Sequence, residues 1–534
     1  MAFPEDKFPD NREALNAFKI AEHTNRPLYI TGRAGTGKST FLKGFCKQTE
    51  KKFIILAPTG IAALNVGGQT IHSFFNLPTR PMVPNDPEIP FFPEARVRKG
   101  EFIEEHAKRK IIKELDTVII DEISMVRADV IDAIDASLRK NGGNRDLPFG
   151  GKQLIFIGDL FQLEPIVRPE DQELLKQHYE SRFFFSADVF KQIRFSNIEF
   201  TKVYRQTDQR FIDMLERVRT KTATDGDFET LNKCVNPDYS PPANKVIITL
   251  CPTNEVADGH NDQRLKDIDA PEYTFEGNSS GSFNSRDFPV PATLVLKLGA
   301  QVMFVKNDPQ GRWVNGTIGK ITFISDESIK VRIMHDNKEK DFYVEESQWS
   351  KSEYKYNAAN KQIETQEVGT FEQYPIKLAW AITIHKSQGL TFSDVIIDSG
   401  RGMFAHGQLY VALSRCASLE GLIFRARISS REMIVHGRVI QFANTANDQE
   451  LIDRQFVSGV MEQNKVLKEM VSLLKGQIDH LHRQVSEKAT EIVELSAQLD
   501  GYAEKKTQKA RGTKKQASSK KTSKKNAAHT KNKK

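Results

Sequence analysis

Residues 28–42 read LYITGRAGTGKSTFL, and the central part, GRAGTGKST at residues 32–40, contains the pattern G-x-x-x-x-G-K-[ST] from Gly32 to Ser39. The apolar residues before the pattern predict a strand, and the residues after it predict the start of a helix. A glycine-rich loop between a strand and a helix N-terminus lets backbone N–H groups surround a phosphate chain. The sequence therefore predicts that this protein binds a nucleoside triphosphate.

Within this loop, Lys38 is expected to reach the β and γ phosphates, and the Ser39 hydroxyl is expected to bind Mg²⁺. Gly35 and Gly37 allow the backbone to approach the phosphates without a Cβ clash. The residues assigned to nucleotide binding are Gly32, Ala34, Gly35, Thr36, Gly37, Lys38, Ser39 and Thr40.

Three more apolar segments, FIIL at 53–56, TVII at 117–120 and LIFI at 154–157, precede polar or glycine-rich loops. This alternation predicts a parallel sheet with helices on both faces and a ligand site at the carboxyl ends of its strands. Asp121 and Glu122 follow the second segment, and we expect Asp121 to hold the metal through water and Glu122 to act as general base. Gln162 follows the third and is placed to hydrogen-bond the γ-phosphate.

Two arginines are candidates for completing the phosphate site. Arg205 lies in VYRQTD and Arg415 lies in GQLYVALSRC. An arginine supplies a forked and permanently charged group to a γ-phosphate when two lobes close.

Composition excludes several classes of protein. The 534 residues contain no apolar window of membrane-spanning length and begin without a secretory signal pattern. The four cysteines form no C-x-x-C pair, so reduced thiols in an intracellular compartment are expected. Residues 505–534 contain thirteen Lys and Arg and no acidic residue, so the net charge of +7 leaves −6 on residues 1–504. Any nucleic-acid contact by the main body must therefore come from a local channel and not from a generally basic surface.

The order of the motifs carries a resemblance to a known family. The segments, in chain order, are APTGIAALNVGGQTIHSFF, DEISMVRADVIDAIDASLR, GGKQLIFIGDLFQLEPI, VYRQTD, LGAQVMFVKND, GRWVNGTIG, LAWAITIHKSQGLTF and GQLYVALSRC. This series resembles the PIF family of superfamily-one DNA helicases, which are similar to RecD, over residues 25–428. The resemblance implies two RecA-like lobes, use of ATP and Mg²⁺, and translocation from five-prime to three-prime on single-stranded DNA, with unwinding of forked DNA in replication, repair or recombination.

The resemblance also implies roles for individual residues. Lys38, Ser39, Asp121, Glu122, Gln162, Arg205 and Arg415 match motif positions with the roles given above. Gly389 lies in HKSQG, which resembles a loop that couples nucleotide state to the grip on DNA. Four residues fall where the family contacts the DNA backbone, with ordinary caps and loop packing as the alternative for each: Thr59, His72, His385 and Ser387.

One departure from the family is evident near the N-terminus. Many relatives have a glutamine upstream of the phosphate loop that reads adenine, and FPDNREALNAF at residues 8–18 has none at the expected place. Triphosphate binding is unaffected, whereas a preference for ATP over other nucleotides is less firmly implied.

The expected fold class is α/β, with two RecA-like parallel-sheet lobes, a small inserted β-barrel, a coiled-coil helix and a disordered basic tail. The first lobe is assigned to residues 1–200, with a proline-rich segment at 77–110 that is either the family's strand-separating wedge or a connector. The remaining assignments are a second lobe at 201–446, a β-barrel within it at 321–370, a coiled coil at 447–503 and a lysine-rich tail at 504–534.

Residues 457–500 show apolar residues at alternating spacings of three and four. With Asn464 at heptad position a, the a series continues with β-branched residues as far as Ile492 and ends with Leu499. The d series begins with Val460 and is otherwise leucine, apart from Lys488. This pattern is typical of a parallel two-stranded coiled coil. A homodimer is therefore predicted, with a single amphipathic helix packed on the second lobe as the alternative.

Two other functional classes have to be compared with a helicase. An assembly ATPase or nucleotide switch shares the phosphate loop, the acidic pair and an arginine finger, but usually takes that finger from a neighbouring subunit. A non-catalytic DNA-binding scaffold has no need of Lys38, Glu122 or Arg415. The presence of both arginines in the same chain as the phosphate loop favours a helicase.

Overall fold

The computed structural model describes residues 11–84, 86–93, 96–98, 101–103, 106–206, 208–242, 246–335, 338–357, 362–400 and 402–527. The chain divides into two compact units, Met1–Val460 and Met461–Lys534. None of the helices in these described ranges is long and apolar enough to cross a membrane.

The first lobe contains eight strands and seven helices among the described residues. The strands are β1 (Leu28–Gly32), β2 (Phe53–Ala57), β3 (Gln69–Thr70), β4 (Arg96–Arg98), β5 (Glu101–Ile103), β6 (Thr117–Ile120), β7 (Gln153–Ile157) and β8 (Ser196–Phe200). The helices are α1 (Arg12–His23), α2 (Lys38–Cys46), α3 (Gly60–Val66), α4 (Ile71–Phe75), α5 (Ala107–Glu114), α6 (Ala128–Gly142) and α7 (Pro169–His178).

Six of these strands form one parallel sheet in the order β3-β2-β6-β7-β1-β8. Successive residues of each strand point to opposite faces, so Ile119 packs with α1 and α2 while Val118 and Ile120 pack with α6. Because both faces are covered, the strands are apolar throughout, which is why they were recognisable in the sequence. The three predicted strands and the strand before the phosphate loop are confirmed.

The proline-rich segment at 77–110 is attached to the first lobe through α6. The Met82 N–H donates to Asp129 Oδ2 at 2.9 Å, and the Phe92 N–H donates to Asn141 Oδ1 at 2.9 Å. The antiparallel pair β4 and β5 follows, although residues 94, 95, 99, 100, 104 and 105 lie outside the described residues. The segment is thus built as an anchored arm ending in a hairpin, and its role as a wedge stays a prediction.

The second lobe and the C-terminal region contain fourteen described strands and six helices. The strands are β9 (Ile248–Cys251), β10 (Glu272–Glu276), β11 (Asn278–Gly281), β12 (Thr293–Lys297), β13 (Gln301–Phe304), β14 (Ile318–Ser325), β15 (Ser328–His335), β16 (Lys338–Val344), β17 (Ser347–Asn357), β18 (Gln362–Gln373), β19 (Ile376–Leu378), β20 (Ala381–Thr383), β21 (Val395–Ile397) and β22 (Leu422–Phe424). The helices are α8 (Gln209–Arg219), α9 (Asp225–Asn232), α10 (Asn254–Lys266), α11 (Gln408–Leu413), α12 (Gly437–Ala443) and α13 (Gln449–Ala527). Short 3₁₀ turns across the two lobes are Ile123–Met125, Pro148–Gly151, Phe184–Ser186, Asp188–Lys191, Ser285–Asp287, His385–Ser387, Leu419–Gly421 and Ser430–Glu432.

Four strands of the second lobe form a parallel sheet in the order β20-β9-β21-β22. The sheet joins a strand from the start of the predicted second α/β region to three strands from its end. The intervening chain is therefore an insertion, as the sequence predicted.

The insertion differs from the small β-barrel predicted over residues 321–370. Its described strands pair as three antiparallel sheets, in the orders β16-β15-β14-β13-β19, β11-β18-β17 and β10-β12. The β structure begins at Glu272. Its earlier strands were not recognised because they are short, and one of them, β11, has the polar sequence NSSG without any apolar alternation. The hairpin of β17 and β18 reaches the first lobe, where the Tyr354 hydroxyl accepts the Ile55 N–H at 2.8 Å and donates to the Ile55 carbonyl at 3.2 Å.

The C-terminal helix α13 is longer than the predicted coiled coil. Composition predicted a disordered tail from residue 504, whereas the helix continues to Ala527, and residues 528–534 lie outside the described residues. The physical reason is that Lys, Ala, Gln and Arg have high helix propensity and that the segment contains no proline to end the helix.

Candidate active site

The phosphate loop joins β1 to α2 with two glycines in left-handed conformations. Gly35 has φ 82° and Gly37, the N-cap of α2, has φ 87°. The Lys38 ammonium lies across the loop and donates to the carbonyl oxygens of Gly32 at 2.5 Å and Arg33 at 3.0 Å. Burial lowers the pKa of Lys38, while the nearby carboxylates, led by Asp159, oppose that shift. The lysine is therefore held by uncharged carbonyl groups.

The two other polar side chains assigned to this loop differ in exposure. Thr36 is buried and its hydroxyl donates to the Arg33 carbonyl at 2.9 Å, so it shapes the loop from within. Thr40 is exposed in the first turn of α2.

The acidic pair follows β6, as predicted. The Asp121 N–H donates to the Leu56 carbonyl at 2.9 Å, and Asp121 Oδ1 accepts the Glu122 N–H at 3.0 Å. Glu122 has φ 50°, a left-handed conformation that is uncommon outside glycine and that directs its side chain away from the strand axis. Burial, followed by the charge of Asp121, raises the pKa of Glu122 to about 7, and burial raises the pKa of Asp121. A carboxyl group with a pKa near neutrality suits a general base.

The residues assigned to Mg²⁺ fit a hard cation. Ser39 offers an exposed hydroxyl and Asp121 a carboxylate, which are the oxygen ligands that Mg²⁺ prefers alongside water and phosphate. Burial raises the pKa of both carboxyl groups, and the charge of Asp121 adds to the shift at Glu122, so negative charge is unfavourable at this position. A divalent cation at Asp121 would stabilise that charge.

Gln162 links the end of β7 to the second lobe. Its side-chain amide donates to Asp159 Oδ2 at 3.3 Å, and its side-chain oxygen accepts from Gln388 Nε2 at 3.4 Å. Both Asp159 and Gln162 are buried. Gln162 therefore touches both lobes at the carboxyl edge of the first sheet.

Arg415 is buried at the opposite side of the site, in the second lobe. Its guanidinium donates to the carbonyl oxygens of Val411 at 3.0 Å, Ser387 at 3.2 Å and Leu390 at 3.4 Å, and to Ser414 Oγ at 2.7 Å. Burial, and then the charge of Arg205, lowers the pKa of Arg415 to about 10, which leaves it protonated at neutral pH.

Arg205 lies beside Arg415, so the structure brings the two predicted arginines together. The Arg205 guanidinium donates to the Ser414 carbonyl at 3.5 Å, and burial lowers its pKa. The adjacent Gln206 donates to the carbonyls of Ser414 and Cys416 at 3.4 and 3.3 Å.

Helix α11 brings the second lobe onto the phosphate loop. The Tyr410 hydroxyl accepts the Ala34 N–H at 3.1 Å, and His406 Nε2 donates to the Leu160 carbonyl at 2.7 Å. Gly407 has φ 71°, and a Cβ there would lie 2.3 Å from the Gln162 carbonyl oxygen, so only glycine fits this approach. The phosphate site is thus composed of both lobes.

The four residues assigned to DNA contact have different environments. Thr59 is exposed and caps α3 by accepting the Ala62 N–H at 3.2 Å, while His72 and His385 are half-buried, with pKa values lowered by burial. Ser387 is fully buried, and its hydroxyl donates to the Ile384 carbonyl at 2.7 Å. In this structure Ser387 supports its loop and, through its carbonyl, Arg415, and its assignment to DNA contact stays a prediction.

Gly389 follows Ser387 in the same loop. It has φ 78°, and a Cβ added to it would meet no atom within 4 Å. A side chain is excluded here by backbone conformation and not by crowding.

Three residues of the site were not singled out from the sequence. Tyr410 and Gln388 lie inside motifs that the sequence analysis quoted, LYVALSR and HKSQG, and their polar side chains were the available signal. Arg219, which contacts Asp159, lies outside those motifs and offered no signal.

These features define a class of protein. A phosphate loop and an acidic pair at strand ends of one parallel-sheet lobe face two arginines of a second such lobe, the buried Arg415 and the half-buried Arg205. That arrangement is a two-lobed P-loop nucleoside triphosphatase with RecA-like lobes.

Comparison with known proteins identifies the family. The family model of PIF1-like helicases matches residues 9–229, and that of the UvrD-like helicase C-terminal domain matches residues 378–420. The ATP-dependent DNA helicase Pif1 of Bdellovibrio bacteriovorus is 33% identical over 441 residues, which are 81% of this chain and 91% of that protein. Human ATP-dependent DNA helicase PIF1 is 33% identical over 79% of this chain and 62% of its own length. The crystal structure of a Bacteroides Pif1 with ADP-AlF4 has a TM-score of 0.72 and 36% identity, covering 81% of this chain and 96% of its own.

The chain belongs to the PIF1-like helicase family and is an ATP-hydrolysing helicase. The resemblance stated from the motifs is confirmed. The roles of individual site residues stay predictions.

Replacing Lys38 by Ala is expected to reduce ATP hydrolysis by about a hundred-fold or more, because the loop loses the side-chain charge that is assigned to the phosphates. The fold and binding of single-stranded DNA should persist, since the Lys38 ammonium contacts loop carbonyls only. ATPase rates, circular dichroism and fluorescence anisotropy check this. Lys43→Ala, on the exposed side of the same helix, is the control, and wild-type hydrolysis by Lys38→Ala would contradict the assignment.

Replacing Arg415 by Ala is expected to lower kcat by about a thousand-fold, with a much smaller change in the affinity for ATP, because the charge acts mainly in the transition state. Arg415→Lys keeps a charge but loses the fork that holds the carbonyls of Ser387 and Leu390, so its activity should be intermediate. Steady-state kinetics and nucleotide titrations measure both quantities. The exposed Arg431→Ala is the control, and equal losses of kcat and affinity in Arg415→Ala would count against a finger role.

Proposed function

We propose that this chain is an ATP-driven DNA helicase that translocates from five-prime to three-prime on single-stranded DNA and separates forked duplexes, acting inside the cell in replication, repair or recombination. The observation that carries the proposal is the composite phosphate site, in which Gln162 and Arg415 both contact residues of the loop 385–390. A structure of Bacteroides Pif1 bound to single-stranded DNA, and a structure on the unwinding of forked duplex DNA by two coordinating Pif1 helicases, support the substrate. All four cysteines are free thiols, which suits a reducing compartment.

In the proposed chemistry, the amides of the phosphate loop and Lys38 bind the phosphates, and Glu122 takes a proton from the attacking water. Ser39 and Asp121 would hold Mg²⁺, which would neutralise phosphate charge. Arg205 and Arg415 stabilise the charge that develops on the γ-phosphate. Adenine preference is left open because the upstream glutamine is missing.

The link between hydrolysis and DNA movement lies in the loop that carries His385 and Gly389. Gln388 of this loop hydrogen-bonds Gln162, and the Ser387 and Leu390 carbonyls accept from Arg415. A change in the position of either group on loss of the γ-phosphate is therefore passed to the loop directly. We propose that His385, Thr59 and His72 contact the DNA backbone, while Ser387 positions the loop.

An assembly ATPase acting on DNA complexes is the alternative. It would need an arginine from a second subunit, whereas Arg205 and Arg415 both belong to the compact unit that contains the phosphate loop. The composite site is formed within one chain, which favours the helicase.

Polarity is tested with duplexes that carry a single-stranded tail at one end only. The chain should unwind duplexes with a five-prime tail in the presence of ATP and Mg²⁺, and should leave duplexes with a three-prime tail intact. Glu122→Gln is the control for ATP dependence. Unwinding from three-prime tails would contradict the polarity, and DNA-stimulated hydrolysis without unwinding of either substrate would favour the assembly ATPase.

We further propose that residues 457–500 form a parallel two-stranded coiled coil with a second copy of this chain. In the second unit, Val471, Leu474, Ile478 and Leu481 are each about half exposed, on one stripe of α13. An apolar stripe of this length is unfavourable in water. β-branched residues at position a with leucine at d match two parallel strands, and this narrow seam fits another helix better than a lobe surface.

Replacing both Leu474 and Leu481 by Asp is expected to halve the mass of the protein in solution, because each charge would be buried against its copy in the seam. Light scattering at micromolar concentration measures the mass, and ATPase activity should be unchanged. Ser472→Asp with Ser486→Asp adds the same charge one position away from the seam and should leave a dimer. A wild-type protein that is monomeric throughout this range would contradict the proposal.

A further inference from the structure

Arg219, the last residue of α8, is the centre of a buried charge cluster. Its side chain is 2% exposed, and its guanidinium nitrogens lie 3.3 Å from Asp159, 2.9 Å from Glu199 and 3.2 Å from Glu216. The guanidinium also stacks over the Phe161 ring, 4.4 Å from its centroid. The cluster joins the end of α8, the end of β8 and the loop after β7.

One of these carboxylates orients the Gln162 side chain. Asp159 Oδ1 accepts the Phe161 N–H at 3.2 Å and the Arg219 Nε–H at 3.3 Å, while Asp159 Oδ2 accepts from Gln162 Nε2 at 3.3 Å. The Asp159 side chain is fully buried. Burying a carboxylate without an opposite charge beside it is costly, and Arg219 supplies that charge.

The same arginine is connected to the phosphate loop. Glu216 accepts from Arg219 at 3.2 Å and from Arg33 Nε of the phosphate loop at 2.9 Å. A continuous series of charged contacts therefore runs from the phosphate loop through Arg219 to the loop that carries Gln162.

We propose that Arg219 is a positioning residue for ATP hydrolysis. By holding Asp159 it fixes Gln162 at the γ-phosphate, and through Glu216 it fixes the position of the Gln162 loop relative to the phosphate loop. The proposal rests on the proposed function, specifically on the role of Gln162. Arg219 itself does not need to touch the nucleotide. It differs from Arg205 and Arg415 in being neutralised by three carboxylates.

Arg217 provides a matched control on the same helix. It forms a two-pronged pair with Asp227 at 2.9 and 2.6 Å, and its side chain is 40% exposed. Arg217→Gln removes a guanidinium–carboxylate pair of the same kind without touching the Asp159 loop.

The test is a double-mutant cycle between Arg219 and Gln162, read as kcat of ATP hydrolysis on single-stranded DNA. Arg219→Gln should lower kcat by about a hundred-fold, as expected for a misplaced reacting group, while affinity for ADP changes little. Gln162→Ala should lower kcat as well, and the double variant should match Gln162→Ala within about twofold because both changes remove one interaction. A second cycle uses Arg219→Lys in place of Arg219→Gln. Because this variant keeps a positive charge beside Asp159, it is expected to disturb the fold less.

Each outcome separates this inference from the proposed function. If the losses of kcat in Arg219→Gln and Gln162→Ala multiply in the double variant, the positioning role is overturned. A loss of kcat in Arg217→Gln as large as that in Arg219→Gln would also overturn it, because either result indicates general destabilisation. Wild-type kcat in Gln162→Ala would overturn the proposed role of Gln162 and this inference with it. Normal unwinding polarity together with multiplying losses would leave the helicase proposal standing and remove only the role of Arg219.

Discussion

The close approach of the phosphate loop to residues 204–206 is the constraint on which the active site depends. Gly35 has φ 82°, and a Cβ there would lie 2.4 Å from the Arg205 Cβ, while the Tyr204 N–H donates to the Gly35 carbonyl at 2.9 Å. Arg205 and Gln206 then contact the Ser414 carbonyl of the second lobe. Only glycine combines this left-handed conformation with such a close approach to Arg205. Gly35 therefore determines how the phosphate loop packs against residues 204–206, which in turn contact the second lobe.

The electrostatics of the site follow from how its cations are held. Lys38 and Arg415 are bound by backbone carbonyl oxygens, which orient a positive group without cancelling its charge. Burial lowers the pKa of both groups, so their positive charge is costly where it stands. Arg219 shows the opposite arrangement, with three carboxylates around it. The charges of Lys38 and Arg415 therefore suit the binding of a phosphate, whereas the charge of Arg219 is balanced by carboxylates and stabilises the structure around it.

Sequence patterns predicted those parts of the fold that are determined by residues close together in the chain. Buried parallel strands are continuous apolar runs, and their following loops carry the ligands, so Lys38, the Asp121–Glu122 pair and Gln162 could be placed before the structure was known. The burial of Ser387, the contacts of Tyr410 and Gln388, and the pairing of Arg219 with Asp159 depend on residues distant in the chain. The extent of the inserted sheets was missed for the same reason, since strands without alternation are defined only by their partners.

In the proposed function, the loop 385–390 serves both the nucleotide and the nucleic acid. Three of its residues are bonded to the active site, since the Ser387 and Leu390 carbonyls accept from Arg415 and Gln388 contacts Gln162. Gly389, between them, has open space around its Cα, and the neighbouring Lys386 is exposed. The loop thus has a fixed side and a free side. In the proposed function, a movement of Arg415 or Gln162 on loss of the γ-phosphate would displace the side of the loop that is hydrogen-bonded to them, and the exposed residues Lys386 and Gly389 would move with it.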